Sequence, residues 1–402
     1  MAPQPGADCG LFDGRASRVA GARQRRARTA KQRRLAASVE INLAVRGCQW
    51  RQLRGILSDY AFHRRAVPPF RYLRPESLTH AAQLLAERGA IALGGGTDLL
   101  VALHEGLAHP DALVDLRRLP DARAIVATSD GGVRLGGGAR IADIAAHAMV
   151  ADRFPALAQA CESVGTVQLR NMGTLGGNLC QRPRCWYFRR GVSCFKSGGT
   201  SCPAVDGENQ YLGVLGGGPC HAPHPSDPAV ALTALEARVV IAGVQGERTV
   251  PMESFYGARD VTRDTVVGEG EFLSAIEIPG ASASRTQRYD KVMQRGAWDF
   301  ALVSLAAVKR ADGDVRLVLG GVAPRPWRVT SSIEEDVASG GLDGETIGIL
   351  AERAMLDARP MTKNGYKVDV ATALLRRGIE WLVGPETGDR SPEGNTSHGG
   401  GS

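Results

Sequence analysis

The segment that decides the fold reads AIALGGGTDLL and spans Ala90–Leu100. Its first four residues, Ala90–Leu93, are apolar and predict a short buried strand, after which Gly94–Gly96 turn the chain into a helix predicted to begin at Thr97. Glycines at such a turn leave backbone N–H groups free to face an anion, although many strand-to-helix turns need glycine for geometry alone. The turn is neither a P-loop, which continues with Gly-Lys-Ser/Thr, nor a GxGxxG fingerprint, because Leu99 stands where the last glycine would be.

The sequence around this loop predicts a region in which helices and strands alternate. Ser77 is a suitable N-cap for a helix through Arg88, because a small polar side chain satisfies the free N–H groups of a first turn. A strand, a hairpin and two helices are predicted further along, at Ala112–Asp115, at AIVATSDGGVRL (124–135), and near Ile141 and Phe154. Such alternation is typical of an α/β fold.

The pattern changes from about Arg288 to Leu382. Three segments, KVMQRG, FALVSLAAVKR and VRLVLGGVA, predict antiparallel strands joined by turns that contain Gly and Asp. Two helices are predicted after them, at Glu345–Leu356 and Tyr366–Leu382. Strands followed by helices indicate an α+β domain.

The net charge of +7 lies in one part of the chain. Residues 1–66 contain 14 Lys and Arg against four acidic residues, so the rest of the chain carries 35 basic and 38 acidic side chains. Because the folded body has no basic surplus, we expect no nucleic-acid partner. No run approaches the roughly 18 to 20 apolar residues of a membrane helix, so we expect no membrane span.

Two further motifs are candidates for ligand contacts. RNMGTLGGN (170–178) combines Thr174 and Asn178 with two adjacent glycines, so that the backbone can approach a ligand while the side chains form hydrogen bonds. HPSDPAVALTALEA (224–237) places Asp227 at the head of an apolar helix, where the simpler interpretation is an N-cap. Each motif alone is equally compatible with a structural turn or cap.

Five of the eight cysteines are concentrated within 41 residues: Cys180, Cys185, Cys194, Cys202 and Cys220. Disulfides are typical of small secreted domains, and zinc sites usually contain a close C-x(2–4)-C pair. The wide spacing C-x8-C-x7-C-x17-C is compatible with four thiolates that converge on a [4Fe–4S] cluster. The pattern leaves these three chemistries open, and spacing alone does not decide which four cysteines are ligands.

In this order, GGGTDLL, RNMGTLGGN, PSDPAVAL and KVMQRGAWDFALVSLAAV resemble the FAD-binding subunits of the xanthine dehydrogenase and carbon monoxide dehydrogenase flavoprotein family, over about Pro69 to Gly384. The resemblance implies a two-subdomain α/β FAD-binding domain of the PCMH type, followed by an α+β domain like the CO dehydrogenase flavoprotein C-terminal domain. It places the FAD pyrophosphate on the glycine loop and Lys291 near the isoalloxazine. The implied FAD contacts are Leu93, Gly94, Gly95, Gly96, Thr97, Asp98, Leu99, Thr174, Gly177, Asn178, Asp227 and Lys291, and no residue is implied to be catalytic.

The insertion that begins with RCWYF at Arg184 resembles that of a narrower subgroup, which includes the flavin subunits of periplasmic aldehyde oxidoreductase and 4-hydroxybenzoyl-CoA reductase. Flavin subunits of that subgroup hold an additional [4Fe–4S] cluster. The resemblance implies four ligands and leaves Cys180 as the spare cysteine. The implied ligands are Cys185, Cys194, Cys202 and Cys220.

The resemblance also implies electron transfer within a molybdenum hydroxylase complex of the aldehyde oxidoreductase or xanthine dehydrogenase type. A molybdopterin-binding large subunit would hydroxylate the substrate, a small subunit would hold two [2Fe–2S] clusters, and FAD in this chain would pass the electrons to an external electron acceptor. The alternative is a stand-alone FAD oxidase with a zinc-stabilised structural loop. We expect a cytoplasmic protein, or a periplasmic one exported together with a signal-bearing partner.

Four segments are expected along the chain. Residues 1–66 are expected to form a disordered basic arm or to precede the true start, and residues 67–280 to form the FAD-binding domain with the iron–sulfur insertion at about 180–222. Residues 285–384 are expected to form the C-terminal domain and residues 385–402 a disordered tail.

Overall fold

The computed structural model describes residue 67 and the ranges 69–257 and 261–384. The expected basic arm and the expected tail both lie outside the described residues. Within the described ranges, no helix is both long enough and apolar enough to cross a membrane.

The strands that the structure describes fall into three sheets. They are β1 (Arg71–Leu73), β2 (Ala90–Leu93), β3 (Ala112–Asp115), β4 (Ile125–Ala127), β5 (Val133–Gly136), β6 (Arg238–Gly243), β7 (Gly246–Pro251), β8 (Phe272–Ile278), β9 (Gln287–Val292), β10 (Val303–Lys309), β11 (Val315–Gly320) and β12 (Trp327–Arg328).

The helices of the same part of the chain are mostly short. They are α1 (Leu78–Leu85), α2 (Leu99–Glu105), α3 (Ile141–Ala145), α4 (Ala148–Arg153), α5 (Pro155–Glu162), α6 (Val167–Met172), α7 (Leu175–Leu179), α8 (Trp186–Arg189), α9 (Asp227–Ala234), α10 (Met252–Phe255), α11 (Ser331–Ser339), α12 (Gly344–Arg353) and α13 (Tyr366–Val383).

The first sheet is parallel, with the strand order β1-β3-β2. Strands β2 and β3 have the predicted bounds, and Leu93 at the end of β2 pairs with Asp115 at the end of β3. The glycine loop therefore leaves the carboxyl edge of a parallel sheet, which is where open α/β sheets bind their ligands.

The second sheet is antiparallel, with the order β4-β5-β8-β6-β7. The predicted hairpin of β4 and β5 is confirmed. Strand β8 comes last in the sequence of this sheet and lies in its centre, between β5 and β6. Where β5 ends, the Gly137 N–H donates to the Ser274 carbonyl of β8 at 2.7 Å, which holds the Gly136–Gly138 segment against the sheet.

The third sheet, with the order β12-β11-β10-β9, confirms the three antiparallel strands predicted for the C-terminal region. Strand β10 is buried on both faces. Ala306 and Val308 pack in the core that includes α5 and α9, whereas Leu305 and Ala307 pack in the core that includes α12 and α13. The α/β and α+β regions therefore share this strand, and the predicted fold class is confirmed.

The ends of two helices show how local chemistry sets their bounds. Ser77 caps α1 as predicted, because its Oγ accepts from the His80 N–H at 3.1 Å. The helix predicted from Thr97 begins at Leu99 instead. Asp98 occupies its N-cap position without a side-chain capping bond, because the carboxylate is bonded elsewhere. The sequence did not predict α11 or β12.

The cysteine insertion has little regular structure beyond α8 and one 3-10 turn at Phe195–Ser197. Two fully buried asparagines attach it to the C-terminal region. The Asn209 side chain donates to the Ala204 carbonyl and accepts from the Lys363 N–H at 2.9 Å. The Asn364 side chain donates to the Leu212 carbonyl at 3.3 Å. Because side chains satisfy these backbone groups, the irregular loop can be buried.

Candidate functional site

The glycine loop packs directly on the 170–177 segment. A Cβ on Gly95 would lie 1.9 Å from the Met172 carbonyl oxygen, and one on Gly94 would lie 2.5 Å from Thr174 Oγ1. Gly96 has a φ of +76°, which L side chains rarely adopt. Close packing and backbone conformation therefore explain the three glycines before any ligand is considered.

The same loop also presents unpaired backbone donors to a cavity. The N–H groups of Gly95, Gly96 and Thr97 donate to no protein atom of the described ranges. They lie beside a cavity of about 810 Å³, which we call the larger cavity. Free N–H groups that converge on a cavity form an anion-binding concavity, and a volume in this range suits a large organic cofactor.

The segment around Thr174 forms the facing wall of the larger cavity. Thr174 is buried and caps α7, because its Oγ1 accepts from the Gly177 N–H at 3.2 Å. A third glycine run, Gly136–Gly138, lies beneath it and also lines the cavity, and the Gly176 N–H donates to the Gly137 carbonyl at 2.8 Å. Sequence reasoning did not assign this run, although LGGGAR repeats the triple glycine of the first loop.

Asp98 lines the larger cavity, but its carboxylate is bonded to the cysteine insertion. It accepts hydrogen bonds from the Arg182 N–H at 2.8 Å, from Arg184 Nη1 at 2.5 Å and from Arg189 Nη2 at 2.8 Å. Burial raises the pKa of Asp98, but Arg184 and Arg189 outweigh it, so the pKa lies below its usual value. Asp98 is therefore an anion that joins the glycine loop to the insertion.

Of the other FAD contacts implied for the first region, some line the larger cavity and some do not. Leu99 lines the larger cavity, whereas Leu93 is buried in a small core under the loop. The Asn178 side chain does not line the cavity. Its Oδ1 accepts from Ser226 Oγ at 2.6 Å, and Ser226 is the N-cap of α9.

Asp227 and Lys291 form a buried ion pair, with 2.8 Å between Asp227 Oδ2 and Lys291 Nζ. Tyr289 donates to the other Asp227 oxygen at 2.6 Å, and Lys291 also donates to the Ser163 carbonyl at 3.0 Å. Burial raises the pKa of Asp227, whereas Lys291 and Tyr289 act in the opposite direction. The N-cap is Ser226, so the simpler interpretation of Asp227 as the cap was wrong.

Asp227 lines a second cavity of about 320 Å³, the smaller cavity, whose wall is rich in aromatic rings. The ring centres of Trp186 and Tyr211 lie 5.4 Å apart, and the Arg184 guanidinium lies 4.9 Å from the centre of the Phe300 ring. His224 lines the same cavity, and burial lowers its pKa to about 3. Its imidazole is therefore neutral near pH 7.

Four cysteines of the insertion face a third space, the thiol cavity: Cys185, Cys194, Cys202 and Cys220 all line it. Cys180 does not; it lines the larger cavity. Burial raises the pKa of the Cys185 and Cys220 thiols. Across the described ranges, no group of three or more His, Cys, Asp or Glu side chains is arranged compactly enough for a single metal ion.

Comparison with known families decides what the chain is. Residues 68–281, more than half of the chain, match the family described as the FAD binding domain in molybdopterin dehydrogenase. The chain belongs to the FAD-binding medium subunits of the xanthine dehydrogenase and molybdenum hydroxylase family. Residues 288–382 of this medium subunit match the CO dehydrogenase flavoprotein C-terminal domain.

Individual relatives agree with this family. The medium subunit is 34% identical over 314 residues to the aldehyde oxidoreductase FAD-binding subunit PaoB of Escherichia coli K12, covering 76% of this chain and 96% of the relative. It is 28% identical over 322 residues to the glyceraldehyde dehydrogenase medium chain of Sulfolobus acidocaldarius, covering 78% of this chain and 98% of the relative. The family makes this chain an oxidoreductase subunit with FAD as its cofactor.

A solved structure supports the fold. A chain of quinoline 2-oxidoreductase from Pseudomonas putida 86 superposes with a TM-score of 0.62 at 23% identity, covering 79% of this medium subunit and 98% of that chain. At that identity the likeness concerns the fold alone.

Proposed function

We propose that this medium subunit holds FAD and a [4Fe–4S] cluster and transfers electrons within a molybdenum hydroxylase complex of the aldehyde oxidoreductase type. Electrons from the substrate arise at a molybdopterin-binding large subunit and arrive through the two [2Fe–2S] clusters of a small subunit. They leave this chain for an external electron acceptor. The likeness to an aldehyde oxidoreductase subunit and a glyceraldehyde dehydrogenase chain supports this type of complex.

The larger cavity supports the assignment of the pyrophosphate. The unpaired N–H groups of Gly95, Gly96 and Thr97 would bind it, with Thr174 and Gly177 on the facing wall. When bound, FAD supplies the exchange of one or two electrons. The chain contributes binding, orientation and the exclusion of water from the cavity.

The smaller cavity accounts for two of the remaining implied contacts, one directly and one through an ion pair. Asp227 lines it, and Lys291 is held behind Asp227 by their ion pair. Arg184 joins the two cavities, because it lines the smaller one and bonds to Asp98 of the larger one. A cofactor that uses both sets of contacts would pass Arg184.

One observation carries the iron–sulfur part of the proposal: Cys185 lines both the thiol cavity and the smaller cavity. Cysteine thiolates are the ordinary ligands of iron–sulfur clusters. A cube of iron and sulfide holds its four thiolates further apart than a single ion does, which fits four thiols around one space without a compact single-ion group. A cluster bound there would adjoin the smaller cavity, close enough to exchange electrons with the flavin.

Reductive titration of the full-length chain tests the proposal. A chain that holds FAD and one [4Fe–4S] cluster should accept about three electrons and contain about four irons, with the FAD released by acid in a ratio of about 1:1. The matched control is Cys202→Ser, which should keep FAD and accept about two electrons. One zinc, no iron and about two electrons in the unaltered chain would instead support the oxidase with a zinc-stabilised loop.

A further inference from the structure

The cysteine insertion supplies charged side chains to the wall of the larger cavity. Arg182 and Arg189 line that cavity together with the glycine loop. The cations around them are Arg182, Arg184, Arg189 and Lys196, and the carboxylates that pair with them are Asp98, Asp264 and Glu105. Four cations against three carboxylates leave one positive charge in this cluster, beside a cavity whose loop already favours an anion.

Arg189 is the best oriented of these cations. It is 12% exposed, its Nη2 donates to Asp98 at 2.8 Å and to the Arg182 carbonyl at 2.9 Å, and its Nε donates to the Pro183 carbonyl at 2.9 Å. The remaining nitrogen, Nη1, lies 3.7 Å from Glu105, beyond hydrogen-bond distance. Nη1 therefore has an ion-pair partner in Glu105 but no hydrogen bond to it, and a guanidinium fixed on one side with such a donor on the other is suited to a phosphate oxygen.

The backbone of the same arginine is bonded to the backbone of Cys185, one of the implied cluster ligands. Helix α8 begins immediately after Cys185, and the Arg189 N–H donates to the Cys185 carbonyl at 2.9 Å. Arg184 precedes Cys185 and bonds to Asp98. Cys185 therefore lies between the two arginines whose guanidinium groups hold Asp98.

We propose that Arg189 is a further FAD-binding residue that contacts an anionic group of the cofactor. We propose also that metal binding at Cys185 and FAD binding are cooperative through Arg189 and Asp98. This inference rests on the proposed function, because it requires the metal. Without a metal, Cys185 and α8 are free to shift, Asp98 loses charged partners in a partly buried site, and Arg189 loses its orientation. Coupling between two sites is reciprocal, so FAD should in turn retain the metal.

The experiment measures the Kd of FAD by fluorescence quenching on the full-length chain, both with the cluster reconstituted and with the metal removed. The cluster-loaded chain should bind FAD at least about tenfold more tightly, within the 5- to 150-fold range of typical couplings. Arg189→Gln should weaken binding to the loaded chain about tenfold, and Arg189→Lys should restore part of it. Asp98→Asn should bring the ratio of the two Kd values close to one.

Arg190→Gln is the matched control, because Arg190 is the next residue, carries the same charge and is exposed. It should bind FAD as the unaltered chain does. The reciprocal measurement is the rate of iron loss to a chelator, which should be slower with FAD bound and independent of FAD in Asp98→Asn. Thermal melting identifies variants that fail to fold. If Arg189→Gln is one of them, the near-isosteric Asp98→Asn provides the test of the cooperativity.

The possible failures are distinguishable. An FAD Kd that is the same with and without iron would overturn the cooperativity and leave the proposed function intact. An Arg189→Gln chain that binds FAD as tightly as Arg190→Gln would overturn the role of Arg189. A reconstituted chain without iron would contradict the cluster, and with it the cooperativity.

Discussion

The five clustered cysteines do not all line the same cavity. Cys180 was set aside on resemblance alone, and the structure places it in the larger cavity, away from the other four cysteines of its segment. Burial raises the pKa of Cys180 to about 12, so it is a protonated thiol at neutral pH. Its location outside the thiol cavity is what distinguishes Cys180 from the four implied ligands.

Substitution of single cysteines tests this difference. Cys194→Ser should lose iron and the broad visible absorption of a cluster, and its insertion should become sensitive to protease, because the loop depends on the metal. Cys180→Ser should keep about four irons per chain. Iron and zinc analysis measures both; equal iron loss in the two variants would contradict the ligand set.

Glycines of the loop give a second prediction at this scale. Gly95→Ala should lower FAD content and cost roughly 1–3 kcal/mol of stability, because its Cβ would collide with the Met172 carbonyl. Gly348→Ala is the control: it lies within α12, a Cβ there meets nothing within 4 Å, and it should be neutral or stabilising by about 0.4–1 kcal/mol. Thermal unfolding with flavin absorbance compares the two, and normal FAD content in Gly95→Ala would count against the packing argument.

The hydrogen-bond partners of Asp98 could not be predicted from the sequence. Its place in the loop was evident from GGGTDLL, but Arg184 and Arg189 lie 86 and 91 residues away along the chain. No local pattern encodes such a contact. The glycines at 94–96 and the Thr174 turn were predictable because their chemistry is contained in a few adjacent residues.

Elements were predictable where a short apolar run has clear ends. Strands β2 and β3 match their predicted bounds, since each is four residues bordered by turn-forming residues. Helix α11 was missed, because SSIEEDVAS has only two large apolar residues, Ile333 and Val337, to mark its buried face. The order of strands in the second sheet was not predictable, because pairing between distant strands leaves no local pattern.

Helix α13 contains a lysine whose titration affects stability. Lys367 is 1% exposed, its Nζ donates to the Tyr211 and Gly321 carbonyls, and burial lowers its pKa to about 7. Between pH 7 and about 10.5 the unfolded chain binds more protons at this residue than the folded chain does. The free energy of unfolding should therefore rise with pH in that range, by up to about 1.4 kcal/mol per unit.

Lys367→Met removes this dependence. Urea denaturation at pH 7, 8 and 9 should show that the unaltered chain gains stability relative to Lys367→Met as the pH rises. Lys363→Met is the control, because Lys363 lies in the preceding loop and its side chain is partly exposed in an ion pair with Glu208. A difference between Lys367→Met and the unaltered chain that does not change with pH would show that the lysine stays charged when buried.

At the scale of the whole molecule, the described residues that line the three cavities all lie between Leu78 and Gly321. Deletion of residues 1–66 should therefore leave the FAD content and the iron content unchanged, within about 10% of the full-length chain. Flavin and iron analysis of the two chains, purified side by side, provides the measurement. A truncated chain that folds but has lost its FAD would show that the basic segment takes part in the site.

The central position of β8 sets an order of events during synthesis. The walls of the larger cavity come from Leu78–Gly138, from the 174–189 segment, from Glu247 and from β8 with its flanks. Strand β8 joins the hairpin of β4 and β5 to that of β6 and β7. On a ribosome that adds about 5–20 residues per second, on the order of ten seconds separate the glycine runs from β8. The nascent chain thus displays its anion-binding loop well before it can enclose a cofactor, and capture of FAD waits for β8, the last strand of its sheet to be synthesised and the one at its centre.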